Sequence, residues 1–322
     1  MKPALASSPS SAPGALDSRA AGLMTLLCLV WSLQQISLKA IAGQASPMLM
    51  VALRSLAALL LLAALMRWRG AAPARGRWPA GAAAGALFAV EYLLLSEALR
   101  LTHAAHVVVF LYTAPIFAAL GLQWRLPAER LGAVQWAGIT LAFGGIALAF
   151  AGGSAAPAGS TAGRALLGDA LALLAGVAWG ATTVTLRCSA LAAAPATETL
   201  LYQLLGAAAL LLPAAWLSGQ WHFEPSAQVW AHLGFQSLIM SFASLLTWFW
   251  LLRRYLASQL GVFSFLTPLF GVLLGVWLLG EALTPPFVAG SGLVLAGIAL
   301  VSGHGVLSRR WQALRRSPLP AR

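Results

Sequence analysis

The chain has 322 residues, of which 60% are hydrophobic and only 9% charged, with a mean hydropathy of +0.82 and a formal net charge of +12. Water-soluble domains carry about 25% charged residues, so this composition excludes a soluble enzyme or binding module and places the chain in a bilayer. Two cysteines, Cys28 and Cys188, lie inside or at the end of apolar runs; they form neither a disulfide framework nor a metal-binding pattern, and read as packing residues.

Residues 1–19, rich in Ser, Pro and Ala, read as a disordered cytoplasmic tail. Ten apolar runs come after it, near residues 20–39, 46–66, 80–99, 103–124, 131–150, 166–187, 198–218, 228–252, 257–279 and 285–304. Each is close to the ~20 residues that cross about 30 Å of hydrocarbon as a helix. The first run is too long, and too continuous with the rest of the apolar sequence, for a cleaved signal sequence. Residues 151–165 form a linker of small residues and Pro between the fifth and sixth runs, and residues 305–322 form a basic cytoplasmic tail. The predicted fold is all-α and polytopic.

The basic charge is a record of topology rather than of nucleic-acid binding. With the N-terminus cytoplasmic, sixteen of the 20 Lys and Arg residues fall on the inner side and three (Lys39, Arg100, Arg164) on the outer, while Arg54 lies within a span. This positive-inside bias predicts that both termini are cytoplasmic, with anionic lipid headgroups as the neighbours of the basic segments.

Landmarks recur at a fixed distance. Trp31, Lys39 and Pro47 are matched 148 residues later by Trp179, Arg187 and Pro195. Pro115 is matched by Pro268, 153 residues on, and Glu129, Gly138 and Gly145 by Glu281, Gly290 and Gly297, 152 residues on. The chain therefore reads as one five-helix unit written twice, at 20–150 and 166–304. An odd number of spans per unit makes the second copy cross the membrane inverted. Such a pair has two equivalent arrangements, one open to each side, which is the basis of alternating access to a site between the halves. Gly81-x3-Gly85, Gly176-x3-Gly180 and Gly271-x3-Gly275 mark faces where helices approach closely. Pro115 and Pro268, inside the fourth and ninth runs, are expected to act as helix hinges.

The stretch Ala98-Leu99-Arg100-Leu101-Thr102-His103-Ala104-Ala105, with Thr113-Ala114-Pro115, Glu129-Arg130-Leu131 and Gln135-Trp136-Ala137-Gly138, resembles the EamA repeat of the drug/metabolite transporter superfamily. Leu266-Thr267-Pro268 and Leu279-Gly280-Glu281-Ala282-Leu283 repeat the resemblance in the second half, so that it covers nearly everything from residue 20 to 304. It implies a carrier of the bacterial inner membrane, often an exporter of amino acids or related metabolites. An arginine like Arg54 is common in the second span of such proteins.

Arg54 and Glu91 are the most informative side chains within the spans. Counted inward from Ser46 and from Arg100, both lie roughly 12–14 Å deep at ~1.5 Å per residue. An unpaired charge at that depth costs at least ~2.5–3.5 kcal/mol, so opposite charges at equal depth on consecutive helices should pair or face a wet cavity. One reading is a static ion pair between the second and third spans. The other has Arg54 meeting a substrate carboxylate, with Glu91 as counter-charge or proton-coupling site. Ser32, Gln35 and Lys39 share one face of the first span; Gln35 suits an amino or carboxyl group, and Lys39 is expected to snorkel to headgroups. Tyr202, with Gln203 beside it, stands opposite Arg54 in the repeat, and Trp31, Tyr112, Trp179 and Tyr202 are candidates for an aromatic-lined pocket. Of Trp248 and Trp250, at most one should reach it. His103 and His106, near Glu97, read as polar residues at a helix start, with a titrating outer gate as the alternative. No phosphate-cradling loop, nucleophile–base pair or metal-ligand cluster is evident in the sequence. The expectation is a cofactor-free, metal-free carrier, monomer or homodimer, not an enzyme. Its partners are a small-molecule substrate and membrane lipids, with an amino acid as the first candidate. A cationic-drug efflux carrier, relying on Glu91 rather than Arg54 for binding, is the alternative; a channel and a lipid-handling membrane protein are the readings outside that class.

Overall fold

The computed structural model describes residues 18–125, 131–151, 161–255, 263–264 and 266–316. The tail before Ser18, most of the linker at 151–165, Glu129 and the residues after Arg316 lie outside that set. The described chain is helical: α1 Ser18–Ala40, α2 Pro47–Trp68, α3 Trp78–Leu101, α4 Ala104–Leu111, α5 Ala114–Arg125, α6 Ala133–Ala151, α7 Ala162–Arg187, α8 Ala196–Leu217, α9 Ala227–Gly234, α10 Ser244–Arg254, α11 Leu266–Leu279 and α12 Pro285–Arg316. An isolated β-bridge joins Ala45 and Phe223. Eight of the described helical spans are long and apolar enough to cross a membrane, and two shorter apolar helices, Leu266–Leu279 and Pro285–Leu300, come after them. This is a multi-pass membrane protein.

Three of the predicted runs take a form that hydropathy does not show. The fourth is broken at Tyr112–Thr113 into α4 and α5, and Pro115, whose missing N–H cannot close a helical bond, is the second residue of α5. The eighth runs from α9 to α10 through a π-helical segment, Phe235–Ala243. Its wider turn changes which side chains face inward. Pro268 is the third residue of α11, a position in the first turn where an absent N–H costs nothing. The last helix continues to Arg316, well into the segment read as a tail.

Call the face at which α1 begins the near face, and the other the far face. Lys39, at the end of α1, donates from Nζ to the carbonyls of Leu99 (2.5 Å) and Thr102 (2.7 Å) at the end of α3. It is anchored to protein, not to headgroups as the sequence suggested. Gly168, near the start of α7, abuts Leu101 and Thr102, so α7 begins at the face where its repeat partner α1 ends. Packing follows the duplication. α1 lies on α11 as α7 lies on α4 and α5; α6 and α12 pair extensively, and α3 is wedged between α7 and α8. Glycine permits the closest approaches: a Cβ on Gly290 would come within 2.5 Å of the Gly145 carbonyl, and one on Gly85 would strike the backbone of Tyr202. Gly81 receives the ring of Tyr202, Gly176 and Gly180 receive α4 and α5, and Gly271 receives Val108.

Candidate functional site

A cavity of about 530 Å³ lies among α1, α3, α4, α7, the π-helical segment and α11. Of the sequence-nominated residues, Trp31, Gln35, Glu91, Tyr112, Pro115, Trp179, Gln203 and Pro268 line it. Its aromatic walls are organised as edge-to-face pairs: Trp31 on Trp248 at 5.7 Å and Tyr112 on Trp179 at 5.2 Å between ring centroids. Trp31 and Trp179 are repeat equivalents, so each half supplies one indole. Trp248 is on the wall, whereas Trp250 is not and stacks under Arg19 at 5.7 Å.

Arg54 and Tyr202 do not line the cavity. Tyr202 packs on Gly81 and Gly85. Arg54 is 3% exposed and lies behind the wall, held by neutral groups. Its Nη1 donates to Gln236 Oε1 at 2.8 Å, and the guanidinium lies 4.6 Å above the Tyr92 ring. The Gln34 amide, oriented with its oxygen toward the cation, accepts from Nη1 at 2.9 Å and Nη2 at 3.2 Å. Gln236 Nε2 in turn donates to the Gln34 carbonyl at 2.8 Å. The π-helical turn brings Gln236 to this position, where it is fully buried.

Arg54 and Glu91 form no ion pair; they are within electrostatic reach but not in contact. Glu91 is 4% exposed, lines the cavity, and its Oε2 has no hydrogen-bond partner. The same is true of Gln35 Oε1. The cavity thus presents two unsatisfied acceptor oxygens, while the Arg54 Nη groups meet neutral acceptors and an aromatic face and its buried Nε has no partner. Thr182, Thr183 and Gln203 add hydroxyl and amide groups to the wall.

Toward the far face the cavity is closed by polar contacts. Asp169 of α7 accepts from Thr102 Oγ1 at 2.6 Å and lies 3.0 Å from His106 Nδ1. Glu281, placed by the turn at Gly280 (φ +63°) that ends α11, accepts from the backbone amides of Ala104 (2.5 Å) and Ala105 (2.9 Å) and so caps α4. His103 lies 3.6 Å from the same carboxylate. Burial pushes the Glu281 carboxyl upward, but His103 and the two amides outweigh it and hold it below its ordinary range. Glu97 pairs with Arg100 at 2.9 Å and accepts from Gln220. Among the described residues no cluster of three or more metal-ligating side chains occurs.

Sequence reasoning passed over Gln34, Tyr92, Gln236, Thr182 and Asp169. Asp169 had a legible signal: it is the one aspartate inside a predicted span. Gln236 had none, because its direction depends on the π-helical register.

A bundle of long apolar helices around a cavity, with a charge buried behind its wall, defines a polytopic membrane protein. The EamA-like transporter family model matches residues 18–151 and again 166–303, and the chain belongs to this family of membrane transporters. An uncharacterised protein of Pseudomonas aeruginosa is 32% identical over 255 residues, covering 78% of this chain and 82% of its own. A crystal structure titled only as that of a protein shares the fold, with a TM-score of 0.60 at 24% identity, covering 92% of this chain and 99% of its own.

Proposed function

We propose that this chain is a secondary transporter of ten spans in two inverted halves, which exports a small amphiphilic metabolite across the inner membrane by alternating access. The solute carries an ammonium group beside an apolar or aromatic body, as an amino acid or a related amine does. The observation that carries this reading is the cavity itself: aromatic on its walls, shared between the halves, and furnished with the unpartnered oxygens of Glu91 and Gln35. An ammonium donates three hydrogen bonds and requires such acceptors, and the indole faces favour a cation beside them. Arg54, whose Nη groups are taken by Gln236 and Gln34 behind the wall, acts as the positive core of a rigid wall rather than as a carboxylate clamp. A cationic-drug substrate draws on the same Glu91 and differs only in lacking a carboxylate.

Counterflow in proteoliposomes, with a panel of amino acids, aromatic amines, N-methylated cations and nucleosides, tests this. Amine-bearing solutes are expected to exchange saturably, and Glu91→Gln to raise the half-saturation concentration at least about tenfold, the loss of roughly 1.4 kcal/mol of binding. Competition by an N-methylated cation at equal strength would select the drug-type substrate. Saturable exchange confined to neutral or anionic solutes, or full activity in Glu91→Gln, would overturn the amine assignment. Flux without saturation or counterflow would indicate a channel.

A further inference from the structure

The far closure contains buried titratable groups that solute recognition does not use. Asp169 and His106 are each 1% exposed, with His106 Nδ1 3.0 and 3.1 Å from the two carboxylate oxygens. The imidazole is stacked on Phe287 of α12, ring centroids 3.6 Å apart and planes 7° from parallel, with the edge of Phe110 against it. Its Nε2 is buried and has no partner. Asp169 has further interactions within the fold, and the neighbouring titratable groups His103, Glu281, Lys39, Glu97 and Arg100 each have a partner. His103, 5.6 Å away between ring centroids, faces Glu281 from the turn after α11. Lys39 of α1 is spent on backbone carbonyls, and Glu97 and Arg100 of α3 engage each other. α12 presents Phe287, an apolar ring.

A carboxylate only accepts, so Nδ1 carries the hydrogen between them, and Nε2, which has no partner, has no acceptor for a hydrogen of its own. In this closed seam a second proton has no satisfactory place. On Nε2 it makes a buried N–H without an acceptor, and on Asp169 it replaces an acceptor by a donor facing the Nδ1–H. Parting α7 from the α3–α4 junction would admit water to Nε2 and supply the missing acceptor. We propose that Asp169 and His106 form a proton-binding site linked to the far closure: the closed seam holds one proton on the pair, and the opened seam takes a second from the far side. The duplication provides no copy at the other end, since the residue 148 positions before Asp169 is Ala21. Proton uptake therefore drives opening of one face only, as a carrier coupled to proton exchange requires. This assignment rests on the transport reading, but its test needs no solute.

The test uses the full chain in membrane vesicles with Cys28→Ala and Cys188→Ser, and one reporter, Leu111→Cys, on the cavity wall. A membrane-impermeant maleimide is applied from the face opposite the C-terminus between about pH 5 and pH 8, the range in which histidine changes charge. Rates are divided by those of the exposed reference Ser218→Cys, which removes the reagent's own pH dependence. The relative rate is expected to rise at least fivefold toward low pH, and His106→Gln, which keeps a donor to Asp169 but cannot take the extra proton, is expected to abolish that rise. A flat profile in the reporter with an intact seam overturns the proposal whether or not the variants fold. An undiminished rise in His106→Gln, or in Asp169→Asn where His106→Gln does not fold, overturns it as well.

Discussion

The two ends of the helix bundle around the cavity are held together by different chemistry. At the far end Asp169, His106, Thr102, Glu281 and Lys39 join α1, α3, α4, α7 and the turn after α11 through directional, charge-assisted bonds. At the near end, among the described residues, Ala20, Met24, Leu27, Cys28 and Leu251 form an apolar cluster on which Trp31, Trp248, Trp250 and Phe263 pack. A polar ion pair at the near face, Arg77 with Glu198 at 2.7 Å, ties α3 to α8 and is partly exposed. Buried polar contacts are costly to leave half-made, whereas apolar contacts in a membrane yield gradually and are replaced by lipid or neighbouring side chains. The far end should therefore open as a switch with a few discrete contacts, and the near end by sliding.

Substitutions can break this contrast. The largest loss of stability is expected from Asp169→Ala, which strands the Thr102 hydroxyl and the His106 Nδ1–H; breaking a buried pair costs about 3–5 kcal/mol. Thermal unfolding in detergent should show it. Leu251→Ala, at the near end, removes buried apolar volume and should cost about 2 kcal/mol; a loss as large as that of Asp169→Ala would erase the distinction. Glu281→Gln should cost about 1 kcal/mol, because the α4 cap keeps an acceptor but loses its charge. Since the Glu281 carboxyl is held below its ordinary value of 4.5, its contribution is present above that pH and disappears as pH falls below it. Unfolding midpoints of wild type and Glu281→Gln should thus converge under acid conditions; a constant gap would mean that the charge plays no part in the cap. The smallest effect on stability belongs to Glu91→Gln, which removes no existing contact of Oε2 and should leave the midpoint unchanged while weakening solute exchange.

Part of the cavity lining was legible in the sequence. Trp31, Gln35, Tyr112 and Trp179 stand on the cavity wall because the repeat and helical periodicity mark inward faces, and those survive folding. Arg54 and Glu91 were legible as buried charges, but not as separate ones. Equal depth along two helices says nothing of rotation about them, and that rotation delivers Arg54 to Gln34 and Gln236 while leaving Glu91 at the cavity. Tyr202 was placed by analogy with Arg54, yet the glycines of α3 draw it into a helix contact. His103 and His106 read as polar residues at a helix start, and only the approach of α7 and the turn after α11 gives them Asp169 and Glu281 as neighbours.

The sequence by itself determined the membrane setting, the duplication and the helical spans, because hydropathy, length and internal repeats act along the chain and need no knowledge of neighbours. Tertiary structure alone decided which polar groups are satisfied and which are left facing the cavity. That choice depends on helix rotation, on the break before Pro115 and on the π-helical turn at Gln236, each fixed by contacts between residues far apart in the chain.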